Sequence, residues 1–197
     1  MRRIYCVGRN YEDHARELGN NPKDPPFFFS KPATALLETG RIIPYPKATD
    51  NLHFEGELVV AIGPDKQNPV FGYAAGNDLT RRDLQAEAKT TKRPWDMAKG
   101  FDQSAVCGAI ISATSIADLG ACSIETTVNG ARTQFAALRD MIWDVDGIIH
   151  HLKTYVDLMA GDLIFTGTPA GIGRLNPGDT CCVTISDIGE ACVTIAP

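Results

Sequence analysis

The chain has 197 residues, of which 44% are hydrophobic and 22% charged, and its formal net charge is −5. These values are typical of a soluble globular protein with one compact domain. The negative charge argues against DNA, RNA or an anionic membrane surface as the main ligand. No apolar run approaches the roughly 18 residues that span a bilayer. Polar residues from position 8 onward argue against a signal peptide.

The six cysteines form no C-x-x-C pair and no cluster with histidine, which argues against a zinc site. Several lie in apolar, strand-like stretches such as CCVTI, where cysteine behaves as a small hydrophobe. The sequence therefore predicts reduced cysteines and a cytoplasmic protein.

Strand patterns dominate the chain. RIYCV predicts a first strand that ends at Gly8, and GELVVAIG is the strongest strand pattern in the sequence. Asn129 and Gly130 in ETTVNGARTQ predict a hairpin. A second hairpin is predicted where DTCCVTISD and ACVTIA flank residues 188–190. Frequent prolines predict that residues 19–50 are largely irregular.

Helical patterns are fewer. YEDHARELG predicts a short helix with Asn10 as its cap and Gly19 as its end, and RRDLQAEAKTT predicts a second one capped by Thr80. Apolar residues at helical spacing over positions 148–159 predict a third, ended by Gly161. The chain shows no repeat and no interdomain linker. We therefore expect a mixed β-rich α+β fold in a single domain, residues 1–197.

Two glutamates stand at the start of the strongest strand, in LHFEGELVVAIG. Side chains two residues apart in a strand point to the same face, so Glu55 and Glu57 emerge together just before the apolar run from Leu58 to Ile62. One interpretation is a strand end whose glutamates face water. The alternative is a divalent cation, because two buried like charges are costly unless they are paired or neutralised.

A third carboxylate would be needed to build such a site. Asp78 follows an apolar stretch in AAGNDLTRRD, directly before a predicted helix, where aspartate is also a common N-terminal cap. Three carboxylates, with the remaining positions open to water and substrate, suit Mg²⁺ or Mn²⁺.

The first predicted helix carries a histidine on its inward face. Tyr11, His14, Ala15 and Leu18 recur at helical spacing, and Glu17 lies within reach of the imidazole. A carboxylate that orients a histidine facing water is a general-base pair. The alternative is an ordinary helix pair worth a few tenths of a kcal/mol.

Two further stretches offer candidate residues. Lys99 lies in RPWDMAKGFD, which has little regular periodicity, and a surface lysine is the default interpretation. LIFTGTPAGIG predicts a strand that enters a glycine-rich turn. It lacks the Gly-Lys-Ser/Thr ending of a P-loop and the third glycine of a dinucleotide fingerprint, so it favours a tight loop beside a pocket over a nucleotide site.

Taken together and in this order, these motifs resemble the fumarylacetoacetate hydrolase superfamily over almost the whole chain. The resemblance is carried by CVGRNYEDHARELG, FFFSKP, LHFEGELVVAIG, GNDLTRRDLQAEAK, RPWDMAKGFDQSA, TVNG and GDLIFTGTPAGIG. Within it, FFFSKP, YPKAT and RPWDMAKGFDQSA are most similar to small bacterial acylpyruvases, particularly fumarylpyruvate hydrolases. The resemblance implies a β-sheet roll with a few short helices, usually a homodimer, and a Mg²⁺ or Mn²⁺ site.

The resemblance also implies roles for nine residues. The metal ligands are Glu55, Glu57 and Asp78; the catalytic residues are His14, Glu17 and Lys99; and Arg82, Gln85 and Thr168 contact the substrate. The helix that carries the histidine is short, and isolated helices of about two turns are marginal in water. Residues 11–24 are therefore predicted to form a mobile lid.

The implied reaction is metal-dependent hydrolysis of the carbon–carbon bond of a 2,4-dioxo acid, with fumarylpyruvate giving fumarate and pyruvate, as in aromatic catabolism. His14, oriented by Glu17, would activate water, and Lys99 would stabilise the enolate charge. Two alternatives stay open. One is oxaloacetate decarboxylation or keto–enol isomerisation at the same metal site, and the other is a non-catalytic module with a structural ion.

Overall fold

The fold is described from a computed structural model that covers residues 2–17 and 25–197, without the side chains of residues 15–17. Its strands are β1 Ile4–Gly8, β2 Phe27–Lys31, β3 Leu36–Glu38, β4 Arg41–Ile43, β5 Leu52–Phe54, β6 Gly56–Ile62, β7 Val70–Asp78, β8 Thr80–Arg81, β9 Ala105–Cys107, β10 Ile111–Ser112, β11 Ser123–Val128, β12 Ala131–Ala137, β13 Leu163–Phe165, β14 Gly173–Leu175, β15 Thr180–Ile185 and β16 Gly189–Ile195. Its α-helices are α1 Glu12–Glu17, α2 Arg82–Thr91, α3 Asp96–Lys99 and α4 Val145–Leu152, and 3₁₀ turns cover Ala33–Ala35, Ala113–Ser115, Leu119–Ala121 and Leu138–Asp140.

In the described part of the chain the strands form three sheets. The largest has the order β2-β1-β13-β6-β7-β9-β3, with β10 paired to β7 as its eighth strand. The second has the order β12-β11-β15-β16-β4, and the third is β14-β5-β8. Strands β15 and β16 pack on β7, so the second sheet covers one face of the first.

Strand β6 lies at the centre of the packing because both of its faces are buried. Leu58 and Val60 belong to the main core together with Val183 of the second sheet. Val59 and Ala61 point the other way, into a smaller core. A strand buried on both faces has a continuous apolar run rather than an alternating pattern. This explains why ELVVAI gives so strong a signal in the sequence.

The β-rich α+β fold expected from the sequence is confirmed, and so are its main strands. The first strand, the central strand and both hairpins, β11–β12 and β15–β16, lie where the sequence predicts them. None of the described helices is long and apolar enough to cross a bilayer.

The prediction that residues 19–50 are largely irregular is wrong for their described part. Strands β2, β3 and β4 lie there, and each pairs with a strand outside that segment: β2 with β1, β3 with β9 and β4 with β16. The prolines fall in the connections, as at Pro32 after β2 and Pro44 after β4. Strands of three to five residues are too short to show an alternating hydrophobic pattern in the sequence. They form because they hydrogen-bond to strands elsewhere in the chain.

The predicted helix limits are partly wrong. Helix α4 ends at Leu152, so the pattern that continues toward residue 159 is not helical, and Tyr155 is 74% exposed. Thr80 does not cap α2, because it belongs to β8 and its hydroxyl donates to the Asp78 carbonyl. The predicted end of the first helix at Gly19 lies outside the described residues.

Asn10 is a structural anchor, and its role as the cap of the first helix stays a prediction. Its carboxamide nitrogen donates to the carbonyls of Trp143 and Thr166, at 2.9 and 2.8 Å, and its oxygen accepts from the Trp143 amide at 2.8 Å. Because Asn10 is fully buried, these bonds fix the chain that leads from β1 into α1.

The cysteines are not all reduced. The antiparallel register of β15 and β16 places Cys182 opposite Cys192, with their Cα atoms 4.1 Å apart, and a disulfide joins them. The remaining cysteines, at positions 6, 107, 122 and 181, are free and buried, as their apolar surroundings predict.

Candidate active site

Three buried carboxylates meet where β6 begins and β7 ends. The antiparallel register pairs Gly56 with Asn77, so Glu55 lies across from Asp78, whose backbone amide donates to the Glu55 carbonyl at 2.8 Å. Glu57 follows on the same face of the strand. One oxygen from each carboxylate lies within 4.8 Å of the others. Their exposed fractions are 6% for Glu55, 1% for Glu57 and 0% for Asp78, so these glutamates do not face water.

The glycine between the two glutamates has a structural purpose. A Cβ atom at Gly56 would lie 2.2 Å from the Thr126 hydroxyl oxygen and 3.1 Å from the Gln134 side-chain oxygen, both on the second sheet. Only a residue without a side chain allows β6 to approach that sheet so closely. The E-G-E pattern thus combines two carboxylates on one face with a close sheet contact on the other.

Lys99 lies between two of the carboxylates. Its Nζ donates to Glu55 Oε2 and to Asp78 Oδ2, each at 2.7 Å, and the residue is 2% exposed. It stands at the end of α3, a four-residue helix that the sequence does not predict. The interpretation of Lys99 as a surface lysine is therefore wrong.

The charges in this cluster shift the proton affinities of its members. Burial by itself raises the pKa of Glu55, but Lys99 and Arg82 outweigh it and hold that pKa below its usual value. Burial, together with the negative charges of Asp78 and Glu55, raises the pKa of Glu57 well above its usual value. Glu57 accepts a hydrogen bond from the Gly167 amide at 2.8 Å, which offsets only part of this effect. The cluster is therefore short of positive charge near Glu57.

Lys31 is a further buried residue of this site, and no pattern in the sequence assigns it a role. Its Nζ lies 2.7 Å from Asp78 Oδ1 and donates to the carbonyls of Leu79 and Ser104 at 3.0 Å each, and to the carbonyl of Lys99. Burial lowers the pKa of Lys31, and Asp78 opposes that shift. Lys31 ties the end of β2 to the carboxylate and to the segment that carries Lys99.

Glu55 and Glu57 line a pocket together with most of the other predicted residues. His14 of α1 is 4% exposed and lines it, and so do Arg82, Gln85 and Thr168. Arg82 donates to Gln85 Oε1 at 2.6 Å and to Glu55 Oε1, which fixes the first turn of α2 beside the carboxylates. The side chain of Glu17 lies outside the described residues.

Gln134, on β12, holds the loop that carries Thr168. Its Nε2 donates to the Thr168 hydroxyl oxygen at 2.8 Å and to the Pro169 carbonyl at 2.7 Å, while its Oε1 accepts from the Gly56 amide at 3.1 Å. Because that bond uses the Thr168 hydroxyl as an acceptor, its proton is free to point toward a ligand. No sequence signal identifies Gln134, since it comes from the second sheet.

The donor set fits a divalent cation. All three candidate ligands are carboxylate oxygens, which Mg²⁺ and Mn²⁺ prefer, and the site lies at the base of a pocket that leaves further positions for ligands. A cation held by the three carboxylates would relieve the repulsion from Asp78 and Glu55 that, together with burial, raises the pKa of Glu57.

The family model described as "Fumarylacetoacetate (FAA) hydrolase C-terminal" matches residues 3–196. The chain belongs to this family. A fumarylpyruvate hydrolase from Ralstonia sp is 39% identical over 180 residues, which cover 87% of this chain and 93% of the relative. A mitochondrial oxaloacetate tautomerase from Arabidopsis thaliana is 35% identical over 95% of this chain and 88% of the relative.

A solved structure carries the same fold. The crystal structure of a fumarylpyruvate hydrolase from Pseudomonas aeruginosa, in complex with Mn²⁺ and pyruvate, is 40% identical and superposes with a TM-score of 0.95, covering 100% of this chain and 90% of that one. The resemblance to the fumarylacetoacetate hydrolase superfamily that the motifs indicate is thus confirmed. The chain is a member of an enzyme family that includes both hydrolases and tautomerases.

Proposed function

We propose that this protein hydrolyses the carbon–carbon bond of a 2,4-dioxo acid in a reaction that depends on Mg²⁺ or Mn²⁺, and that fumarylpyruvate is the substrate. Glu55, Glu57 and Asp78 would hold the cation. When bound, it would act as a Lewis acid toward the 2-oxo acid end of the substrate.

One observation carries the proposal: a buried histidine and a buried lysine line a pocket together with Glu55 and Glu57, two of the three clustered carboxylates. A structural ion site needs the carboxylates alone. The lysine and the histidine add a fixed positive charge and a proton acceptor, which hydrolysis with an enolate leaving group requires. The similar proteins named as fumarylpyruvate hydrolases support the same reaction.

In this reaction His14 takes a proton from water, whose oxygen attacks the C4 carbonyl of the substrate. The C3–C4 bond then breaks, and its electron pair moves into the enolate of pyruvate while the acyl group leaves as a carboxylic acid. The proton returns to C3 to complete pyruvate. Lys99 stabilises the negative charge that develops on the enolate oxygen. The role of Glu17 in orienting His14 stays a prediction.

Three residues of the pocket wall orient the substrate. Arg82 and Gln85 share a hydrogen bond on α2, and both line the pocket. Thr168, held by Gln134, offers its hydroxyl proton to a substrate oxygen. Fixing the substrate in this way keeps C4 beside the attacking water, which is the main benefit of a preorganised site.

A second candidate function is keto–enol isomerisation or decarboxylation of oxaloacetate. It is supported by the relative named as an oxaloacetate tautomerase. The same cation and Lys99 would stabilise the enolate, and no water attack would be needed. A panel of fumarylpyruvate, acetylpyruvate and oxaloacetate, followed by absorbance with Mg²⁺ and with EDTA, separates the two. Turnover of oxaloacetate alone would contradict the hydrolase proposal.

The role of His14 is tested by His14→Ala. The variant should still bind oxalate, which resembles the chelating end of the pyruvate enolate, because the carboxylates are untouched. It should lose single-turnover hydrolysis of fumarylpyruvate by roughly 10²- to 10⁴-fold, the range of general-base catalysis. His150→Ala, on the exposed face of α4, is the matched control. Hydrolysis at the wild-type rate by His14→Ala would exclude the histidine as the base.

Four further predictions accompany this function. We propose that residues 1–197 form a single catalytic domain, that the protein is a homodimer in the cytoplasm, and that it takes part in aromatic catabolism. The mobile lid predicted at residues 11–24 stays a prediction, because residues 18–24 lie outside the described residues. Metal analysis of the purified protein would distinguish bound Mg²⁺ from bound Mn²⁺.

A further inference from the structure

The outer part of the pocket has an aromatic wall. Phe27 and Trp95 meet edge to face with ring centroids 4.9 Å apart, and Phe29 lies 5.8 Å from Trp95 and 5.9 Å from Phe27. All three rings line the pocket. The wall begins beside the carboxylates, because Lys99 Nζ lies 5.0 Å from the centre of the Phe29 ring.

Two cations stand on this wall. The guanidinium carbon of Arg9 lies 5.5 Å from the centre of the Phe27 ring, and Lys89 Nζ lies 5.2 Å from the centre of the Trp95 ring. Both residues line the same pocket as the carboxylates. Aromatic faces hold cations in place without neutralising them.

Arg9 and Lys89 differ from Arg82 and Lys99 in their ion-pair partners. Arg82 and Lys99 are each paired with a carboxylate of the metal cluster. Within the described residues, neither Arg9 nor Lys89 lies within ion-pair distance of a carboxylate. Among the described residues, Arg9 and Lys89 therefore give this end of the pocket an excess of positive charge.

The electrostatics of Lys89 agree with this placement. Burial is the main cause that lowers the pKa of Lys89; the charges of Arg82, Arg9 and Lys99 add to it, and the charge of Glu55 opposes it. An anion bound beside Lys89 would relieve this repulsion. A negatively charged ligand group is thus favoured at this end of the pocket.

We propose that Arg9 and Lys89 form a subsite for a second carboxylate, at the far end of the substrate's acyl group. The inference rests on the proposed function and makes it more specific: these two residues select a dicarboxylic 2,4-dioxo acid such as fumarylpyruvate over one whose acyl chain ends in an uncharged group. The substrate's 2-oxo acid end lies at the metal cluster, its conjugated chain lies along Phe27 and Trp95, and its distal carboxylate meets the two cations.

The test compares fumarylpyruvate with crotonylpyruvate, in which a methyl group replaces the distal carboxylate. The dissociation constant of each compound is measured by titrating it into the His14→Ala variant in the presence of Mg²⁺. This variant does not hydrolyse the compounds during the measurement. Arg9→Gln and Lys89→Gln are each added to that background, singly and together. Lys66→Gln, on an exposed loop, is the matched control for the loss of one positive charge.

The subsite predicts that fumarylpyruvate binds more tightly than crotonylpyruvate, and that each substitution reduces this preference by roughly 10-fold or more, the range of one hydrogen bond to a charged group. Lys66→Gln should leave the preference unchanged. Equal binding of the two ligands, or a preference that survives the double substitution, would overturn the subsite. Hydrolysis of both compounds by the wild type tests the proposed function separately, since that reaction does not need the distal carboxylate.

Discussion

The repulsion among the three buried carboxylates gives a prediction for Glu57→Gln. Two unit charges 4.8 Å apart, the upper limit for the ligand oxygens of this cluster, repel by about 3 kcal/mol at an effective dielectric constant of 20. Both Glu55 and Asp78 repel the Glu57 carboxylate, and the positive charge of Lys99 offsets part of this repulsion. Glutamine has the same shape, and its oxygen can still accept the Gly167 amide. Without metal at pH 7, the variant should be more stable than the wild type by about 1–3 kcal/mol.

Added Mg²⁺ should make the wild type more stable than Glu57→Gln. A ligand that binds only the folded state at 100 times its dissociation constant stabilises it by about 2.7 kcal/mol. The wild type should gain this stability when Mg²⁺ is added. The variant should gain little, because it has lost one of three ligand charges, and we expect its Mg²⁺ affinity to fall by roughly 100-fold or more.

The pH dependence follows from the same residue. The pKa of Glu57 is higher in the folded protein than its ordinary value of 4.5, so the folded state binds more protons than the unfolded state between those two values. The unfolding free energy of the metal-free wild type should therefore fall as pH rises from about 4.5 through the folded-state pKa. Glu57→Gln should lack this contribution.

Urea unfolding in EDTA and in Mg²⁺, at several pH values, measures all three effects, and calorimetry gives the metal affinity directly. Glu190→Gln, at an exposed position on β16, is the control for the change in net charge. A Glu57→Gln variant much less stable than the wild type in EDTA would contradict the repulsion among the carboxylates. Equal stabilisation of both proteins by Mg²⁺ would contradict the role of Glu57 as a ligand.

Two further predictions concern residues around the cluster. Lys99→Met should lower kcat by on the order of 10²-fold and change KM much less, because Lys99 acts on charge that develops during the reaction; steady-state kinetics with fumarylpyruvate would show a near-normal kcat if its role is only structural. Gln134→Leu should lower kcat/KM roughly 10-fold, since Thr168 loses the hydrogen bond that positions it, and should lower Mg²⁺ affinity less, since the carboxylates keep their own contacts and only the Gly56 amide between them loses its acceptor. An equal loss of metal affinity in Gln134→Leu would point to a general disturbance of the sheet contact instead.

Much of the candidate site could be predicted from local patterns. The spacing of Glu55 and Glu57 on one face of a strand, and of His14 on the inward face of a short helix, follows from the periods of the two structures. The hairpin at Asn129 and Gly130 follows from turn chemistry. These features depend on neighbours in the chain, so the sequence by itself determines them. The order of the motifs also sufficed to indicate the family.

Contacts between distant segments could not be predicted in this way. Asp78 faces Glu55 only because the register of β6 and β7 aligns them, and a shift of one residue would turn that side chain to the other face. Lys31, Lys99 and Gln134 look like surface residues in the sequence, yet folding buries all three among the groups that they bind. Arg9 follows β1 and Lys89 lies on α2, yet both line the same pocket. The sequence thus determined which chemical groups are present, whereas the tertiary structure decided which charges are neutralised and which remain free for a ligand, because burial and pairing depend on residues far apart in the chain.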